Sequence, residues 1–328
     1  MDVTVTPLQR IVSACSGDNL LEVLRTNQVP ISYSCMAGRC GTCRCRVLSG
    51  NVAVTGGTDM NGPSASGQIV LACQTTLVED CAIELPEVDE VVVHPAKIIK
   101  SKVAAIEDMT HDIKRIRLDL AKPLDYSPGQ YATLQFTPKH ARPYSMAVAN
   151  AGHALEFHVR VVPDGRVTSY IASELKVGDE VRVSGPLGTA YLRRRHAAPI
   201  LCVAGGTGLA PILSILRGMA DAGMTNPVHV YFGVRAPIDV YGTHWLDALR
   251  ERLPNLHTHV VVAASNVDAR YRSGVVTEAV ASDWPSLAGW RAYLAGAPVM
   301  VDAASLLLRQ RGVLAEHIYA DAFYAVGV

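Results

Sequence analysis

The sequence predicts a multidomain chain in three parts: a small β-rich domain around a cysteine-rich loop, an antiparallel β-barrel, and an α/β domain with a parallel sheet. Three observations predict it. Seven of the eight cysteines fall in the first quarter of the 328 residues. Short strand-like runs separated by turn signals fill the middle, the spacing of a small antiparallel barrel. Beyond Pro199 apolar runs alternate with helical stretches of about 10–15 residues, the signature of a parallel α/β sheet. At roughly 100–200 residues per domain the length suits two or three domains, and the composition shifts place them at 1–91, 97–192 and 193–328.

In the first part, Asp2–Thr6 and Ile11–Ala14 alternate as short strands. A helix follows, with Asp18 as the expected N-cap, Leu20, Leu21, Val23 and Leu24 as its apolar stripe, and Pro30 as its stop. Beyond the cysteine-rich loop, Cys43–Leu48 reads as a strand. From Glu79 to Glu90 six of twelve positions are acidic, which marks an acidic edge running into a linker near residues 90–97. Thirty Lys and Arg balance thirty Asp and Glu, but the first 91 residues hold five Arg against ten Asp and Glu, a net of −5, so the remainder carries +5. Overall neutrality gives no field for a polyanion, so neither nucleic acid nor a lipid surface is expected as a partner. No apolar run reaches the roughly 18 residues of a membrane span. Met1-Asp2-Val3-Thr4 lacks the basic and apolar regions of a signal peptide, and a cytoplasmic protein is expected.

Clustered thiols in a long, unsecreted chain point to metal or redox work rather than disulfides. Cys35, Cys40, Cys43 and Cys73 have the spacing C-x4-C-x2-C-x29-C. One loop supplying three thiolates and a distant fourth is the plant-type ligand pattern for a 2Fe–2S cluster. Gly38 and Gly41 let backbone N–H groups turn toward the cluster sulfurs. A structural zinc site is the plainer alternative, but it prefers paired knuckles, and a single C-x2-C pair is present. A Rieske centre needs two His ligands, and no C-x-H pair occurs. Cys45, on a strand, and Cys15, Cys81 and Cys202, among apolar neighbours, are expected to be small core hydrophobes. Arg39, Arg44 and Arg46 flank the loop; they could screen the cluster, meet an acidic partner or simply face solvent.

In the middle part, Ile113–Leu120, Tyr131–Phe136, Leu155–Val162 and Glu180–Ser184 read as strands. Arg142-Pro143-Tyr144-Ser145 closes a strand after a loop over 137–141. It offers a phosphate-seeking guanidinium, an aromatic able to cover a ring, and a hydroxyl beside it, although a surface Arg and a core Tyr would look the same. Arg160 and the turn Gly165–Ser169 follow, where Gly165 would let Val167 and Thr168 present backbone N–H groups to a pyrophosphate. In the last part the strands are Ile200–Ala204, Val228–Val234, His259–Ala263 and Arg291–Leu294. The first runs into Gly205-Gly206-Thr207-Gly208-Leu209-Ala210-Pro211 and a helix, a ready anion site. It departs from the G-x-G-x-x-G fingerprint, because Pro211, a good residue for the first position of a helix, stands in the last glycine's place.

Taken in order, these motifs resemble the plant-type ferredoxin–NADP reductase superfamily with an N-terminal 2Fe–2S domain. Within it the chain is similar to the reductase components of naphthalene-type aromatic-ring dioxygenases, over essentially its full length. Ser32–Val47, Pro128–Phe136 and His317–Tyr324 carry the likeness. The resemblance implies a β-grasp-like ferredoxin domain, an FAD-binding barrel and an NAD(P)-binding α/β domain. It implies FAD held by Arg142, Tyr144 and Ser145, with Ser145 close to the reactive flavin nitrogen and Phe323 beside the flavin. Arg160 and the Gly165–Ser169 turn would take the pyrophosphate, and Gly205–Pro211 the nicotinamide nucleotide. Asp321 stands where many relatives carry Glu, and Ala295 where relatives often carry Cys, which should weaken but not abolish hydride transfer. The expected activity is hydride transfer from NAD(P)H to FAD, then single electrons through the cluster to a Rieske-type ferredoxin that serves a ring-hydroxylating dioxygenase. A monomer is expected. Direct delivery to a two-component oxygenase is the alternative, and a non-catalytic redox sensor a more distant one. Arg235, after the second strand of the nucleotide sheet, could meet a 2′-phosphate or stay solvated; NADH is the expected donor, with NADPH tolerated.

Overall fold

The computed structural model describes the chain apart from residues 30, 32, 34–37, 39–42, 56–66, 86–91, 93, 150–151, 265–267 and 325–328. The chain divides into two compact units, Met1–Val91 and Val92–Val328. The first contains β1 (Asp2–Thr6), β2 (Arg10–Ser13), α1 (Leu20–Thr26), β3 (Arg44–Ser49), β4 (Val52–Val54), β5 (Ile69–Leu71), β6 (Thr75–Leu77) and β7 (Cys81–Glu84). Its five-stranded sheet runs β2-β1-β7-β3-β5, with β1 and β7 parallel at the centre, while β4 pairs with β6. Alternation puts Val3, Val5, Val47 and Ile83 on the face that meets Leu20, Leu21 and Leu24 of α1. A sheet curled over one helix is the β-grasp arrangement.

The N-cap of α1 is Asn19, not Asp18: the Asn19 side chain accepts from the Glu22 amide at 3.3 Å. Asp18 is already committed to the preceding turn, where its Oδ2 accepts from the Cys15 amide at 2.8 Å. Pro30, Cys35, Arg39, Cys40 and Gly41 lie outside the described residues, as does most of the acidic linker.

The barrel is built from β8 (Lys97–Asp108), β9 (Ile113–Leu120), β10 (Tyr131–Thr137), β11 (His140–Ser145), β12 (Ala154–Arg160), α2 (Arg166–Ser173) and β13 (Glu180–Leu187). Its antiparallel order is β11-β10-β13-β8-β9-β12, and a bridge from Met146 to Phe157 draws the two edges together. Leu118, Leu134, Phe157 and Val183 fill the interior. β8 has no counterpart among the strands expected from sequence, although its buried Ile99, Ser101 and Val103 alternate with exposed Lys100 and Lys102. β11 begins at His140, inside the expected loop, because Thr137 already pairs with His140 across a tight hairpin. β12 stops at Arg160, ahead of the turn through Pro163 and Asp164, and not at Val162.

The last part alternates β14 (Ile200–Gly205), α3 (Leu209–Asp221), β15 (Val228–Val234), α4 (Thr243–Arg252), β16 (Leu256–Val262), β17 (Arg272–Ser273), α5 (Val276–Asp283), β18 (Arg291–Gly296), α6 (Pro298–Gln310) and β19 (Ile318–Ala322). All six strands are parallel, in the order β17-β16-β15-β14-β18-β19. One core holds Cys202, Phe232 and Tyr293 under α3 and α4, and the other holds Leu201, Val203 and Tyr231 under α5 and α6. Burial on both faces is why the central strands β14, β15 and β18 read as nearly continuous apolar runs. β16 starts three residues before the expected His259, since His257 pairs with His229 and the two rings stack at 4.6 Å. β19 was absent from the strands expected from sequence.

Barrel and parallel sheet form a single compact unit rather than two. Ile113 and Leu192 belong to the core under α3. From α3, Ser214 Oγ donates to the Val148 carbonyl at 2.6 Å and Arg217 Nη1 to the Ala147 carbonyl at 2.7 Å. No helix among the described residues is long and apolar enough to cross a membrane.

Candidate functional site

In the parallel sheet the strand order reverses between β14 and β18, and ligands of such sheets bind in the crevice at the carboxyl ends of the strands where that happens. β14 ends in Gly205 and the turn Gly206-Thr207-Gly208, which leads into α3. A side chain at Gly208 would force the turn to move, since a Cβ would lie 2.0 Å from the Ala295 carbonyl oxygen at the tip of β18. α3 has no side-chain cap; the Leu209 amide turns back to the Gly206 and Thr207 carbonyls, so an anion here would be met by the glycine turn and helix start together. Pro211 is the third residue of α3, not its first, because the helix begins at Leu209. That position also tolerates proline, since the first four amides of a helix have no partner within it.

β18 brings Ala295 and Gly296 to the same crevice. Ala295 is opposite Asp321 of β19, and the Phe323 amide donates to the Gly296 carbonyl at 2.9 Å. Asp321 in turn reaches the barrel: Ser145 Oγ donates to its Oδ2 at 2.6 Å. Burial pushes the Asp321 carboxyl up to about 6, against the opposing effect of the Ser145 hydrogen bond. A hydroxyl of the barrel, an acid of the last strand and the tips of two nucleotide-sheet strands therefore lie in one row.

Beside Ser145, the Tyr144 hydroxyl is buried without a hydrogen-bond partner, and burial raises it to about 12. An orphaned buried hydroxyl points to a missing polar ligand. Arg142 Nη2 approaches the Tyr324 carbonyl at 3.4 Å. Gly165 precedes α2, which also lacks a side-chain cap. A Cβ at Gly165 would lie 2.4 Å from Thr168 Oγ1. The Thr168 hydroxyl is spent within the turn, on the Gly165 carbonyl at 3.1 Å, so Val167 and Thr168 offer backbone amides rather than side chains. These residues fit a flavin dinucleotide: an aromatic with an unmet hydroxyl, an arginine and an uncapped helix start. Arg160 sits elsewhere than expected. Its Nη1 would be 3.0 Å from a Cβ on Gly206, and its Nε is 3.1 Å from Asp112 Oδ2, so it flanks the nucleotide turn.

In the first unit, Cys43 and Cys73 are both buried in one core. The Ala72 amide donates to the Cys43 carbonyl at 2.8 Å, and Gln74 Nε2 stands 3.8 Å from Cys73 Sγ. A Cβ on Gly38 would meet the Gln74 side chain at 2.8 Å. Cys35 and Cys40 lie outside the described residues. A buried thiol with an amide donor at its sulfur suits a cluster ligand. Burial, then the neighbouring Cys43 and Cys81, raises Cys45 to about 12, and burial also raises Cys81 and Cys202, so these remain protonated core thiols. Cys15 departs from expectation: it is exposed, in the turn held by Asp18. Arg46 pairs with Glu84 at 3.7 Å on a half-exposed surface.

Sequence reasoning missed two groups. Asp112 and Asp239 hold Arg235, and Glu156 anchors Arg115 and His158. Glu156 and His158 within the apolar run of β12 were a signal, because polar side chains in a buried strand need partners.

Fold and site together define an oxidoreductase that pairs a flavin barrel with a nicotinamide-nucleotide sheet and carries an iron–sulfur domain in front. Family models agree: a 2Fe-2S iron-sulfur cluster binding domain matches residues 3–78, an oxidoreductase FAD-binding domain 100–191, and an oxidoreductase NAD-binding domain 202–305. The chain belongs to the ferredoxin–NAD(P)+ reductase components of naphthalene-dioxygenase-type systems. It is 56% identical, over all of both chains, to the reductase component of the naphthalene 1,2-dioxygenase/salicylate 5-hydroxylase systems of Ralstonia sp.. It is 53% identical, again over all of both chains, to the naphthalene 1,2-dioxygenase reductase component of Pseudomonas putida. Among solved structures, the Amycolatopsis cytochrome P450 reductase is similar with a TM-score of 0.73 at 33% identity, covering 98% of each chain.

Proposed function

We propose that the chain takes a hydride from NAD(P)H and passes single electrons to a Rieske-type ferredoxin that serves an aromatic-ring-hydroxylating dioxygenase. The observation that carries this reading is the row Ser145–Asp321–Ala295, with the Gly208 turn pressed against the Ala295 carbonyl. Bound FAD supplies the conversion of a two-electron hydride into the single electrons that a 2Fe–2S cluster accepts.

The roles of the chain's own residues follow. Arg142 and the amides of Val167 and Thr168 bind flavin phosphate, and Tyr144 directs its buried hydroxyl to the flavin's polar chain. Ser145 would face the reactive edge, its hydroxyl donating to Asp321, and Phe323, just past the last strand, would cover that edge. Gly205, Gly206, Thr207 and Gly208 with the start of α3 at Pro211 receive the nicotinamide nucleotide, with Arg160 and Arg235 along its phosphate and ribose side. Cys35, Cys40, Cys43 and Cys73 ligate the cluster. The working parts divide as 1–91, 97–192 and 193–328. The protein acts as a monomer in the cytoplasm, which supplies both NAD(P)H and the reducing conditions that keep Cys45, Cys81 and Cys202 as thiols.

Reconstitution tests this. With NADH, the purified protein should reduce cytochrome c, and oxidation of an aromatic substrate by a terminal oxygenase should require an added Rieske-type ferredoxin. Oxidation at full rate without that ferredoxin would replace the reading with direct delivery to the oxygenase.

A further inference from the structure

Four side chains of alternating charge run along the edge of the nucleotide crevice. Arg160 ends β12, Asp112 lies in the turn joining β8 to β9, and Arg235 and Asp239 follow β15. Asp112 Oδ2 is 3.1 Å from Arg160 Nε and accepts from Arg235 Nη2 at 3.0 Å. Arg235 Nη2 also donates to Asp239 Oδ1 at 3.1 Å, and its Nε to Asp239 Oδ2 at 3.1 Å. Asp239 Oδ2 further accepts from the Ala236 amide at 3.2 Å, which fixes the fork on the backbone. His111 Nε2 is 3.9 Å from both carboxylates.

The chain begins over Gly206 and ends just past the carboxyl end of β15, where the adenosine ribose of a dinucleotide crosses such a sheet. The Arg235 side chain is 64% exposed, so a ligand can reach it. Yet the carboxylates occupy its Nε–H and its Nη2, leaving Nη1 alone to meet a ligand, and the two carboxylates cancel the two guanidinium charges. A 2′-phosphate needs free guanidinium donors and positive charge. A plain ribose 2′-hydroxyl needs neither.

We propose that Asp112, a barrel residue, determines nucleotide choice from across the crevice. It is a positioning residue: with Asp239 it holds Arg235 as a neutralised fork, and this favours NADH over NADPH. Removing the Asp112 charge frees one Arg235 Nη2 hydrogen for a 2′-phosphate and leaves the fork with a net positive charge, while Asp239 keeps Arg235 in place. The inference rests on the reading of this crevice as the NAD(P)H site.

Asp112→Asn keeps the shape of the side chain and an oxygen for the Thr110 hydroxyl, which donates to Asp112 Oδ1 at 3.0 Å. In the holoenzyme it should raise the ratio of kcat/KM for NADPH to that for NADH roughly ten-fold, the scale of one charge-assisted contact. Calorimetry should show the affinity for 2′,5′-ADP over 5′-AMP rising by a similar factor, with the gain shrinking in salt. Adding Arg235→Ala should return both ratios toward wild type. If the asparagine variant does not fold, Asp112→Ser replaces it. An unchanged ratio in a folded variant, or a gain that survives Arg235→Ala, overturns the proposal. Failure of the wild-type holoenzyme to oxidise either nucleotide would instead overturn the functional reading.

Discussion

Ser145 has one hydroxyl proton to donate, and Asp321 takes it at 2.6 Å. With Asp321 raised to about 6, the carboxylate accepts that proton at neutral pH, and Ser145 turns its lone pairs to whatever faces it on the other side. Below about 6 the acid protonates and the serine hydroxyl is freed to donate. NADH-driven ferricyanide reduction should therefore show an inflection near pH 6, and Asp321→Asn should erase it. The sign for stability is also fixed. A raised acid means the fold binds the proton more tightly than the unfolded chain does, so at this site stability falls as pH rises from 3.8 through about 6. A profile flat across that range in wild type would remove the assigned coupling. Gly208 makes a second case. A Cβ there would lie 2.0 Å from the Ala295 carbonyl, so Gly208→Ala must push the turn away from β18. The KM for NADH should rise about ten-fold or more while flavin content is retained.

At the scale of elements, β12 couples the barrel to the nucleotide sheet through one buried acid. Glu156 accepts from Arg115 Nε at 2.9 Å and from His158 Nε2 at 3.2 Å, and lies 3.7 Å from Arg217 of α3. His158 Nδ1 accepts from the Tyr241 hydroxyl at 3.1 Å, a tautomer assigned from these partners, and its ring stacks on Trp245 of α4. Burial alone would raise Glu156, but the hydrogen bonds and charges of its partners outweigh it and bring the acid to about 2. Its contribution to stability is full above its ordinary 4.5 and is lost as pH falls toward about 2. Glu156→Ala leaves Arg115 and Arg217 uncompensated and should cost about 3–5 kcal/mol in a denaturant titration. The same strand shows what a sequence can disclose. β9 and β15 are legible to the residue, because Ile116, Leu118 and Leu120 alternate with charged residues in one and burial of both faces marks the other. β8 was missed despite its alternation, and β19 because Ile318–Ala322 is too short to stand out. Of the site, the glycine turn, the R-P-Y-S hydroxyl and the cysteine spacing could be read from local pattern. Asp112 could not, and Glu156 shows locally as a polar residue in an apolar strand but without its partners, since Arg235 and Arg217 are 123 and 61 positions away along the chain and only the folded sheets bring them together.

For the whole molecule, the cysteine constellation and the flavin–nucleotide row lie in different compact units, each with its own core. Independent cores imply that chemistry can be removed from one unit without unmaking the other. Among the four proposed ligands Cys73 is best suited to the test, as it lies within the described residues and far along the chain from Cys35, Cys40 and Cys43. Serine there keeps the size of the side chain but gives a harder, protonated donor that holds an iron–sulfur cluster poorly. Cys73→Ser should lose the visible absorption of the cluster and at least about ten-fold of cytochrome c reduction, which needs a one-electron exit. Ferricyanide reduction and FAD content should stay near wild type, because Ser145, Asp321 and the Gly208 turn all belong to Val92–Val328. The diagnostic quantity is the ratio of the two acceptor activities in one preparation, measured with flavin content fixed by acid release. Parallel loss of both activities at full flavin content would mean that hydride uptake depends on the cluster domain, and the separation of the two units would have to be abandoned.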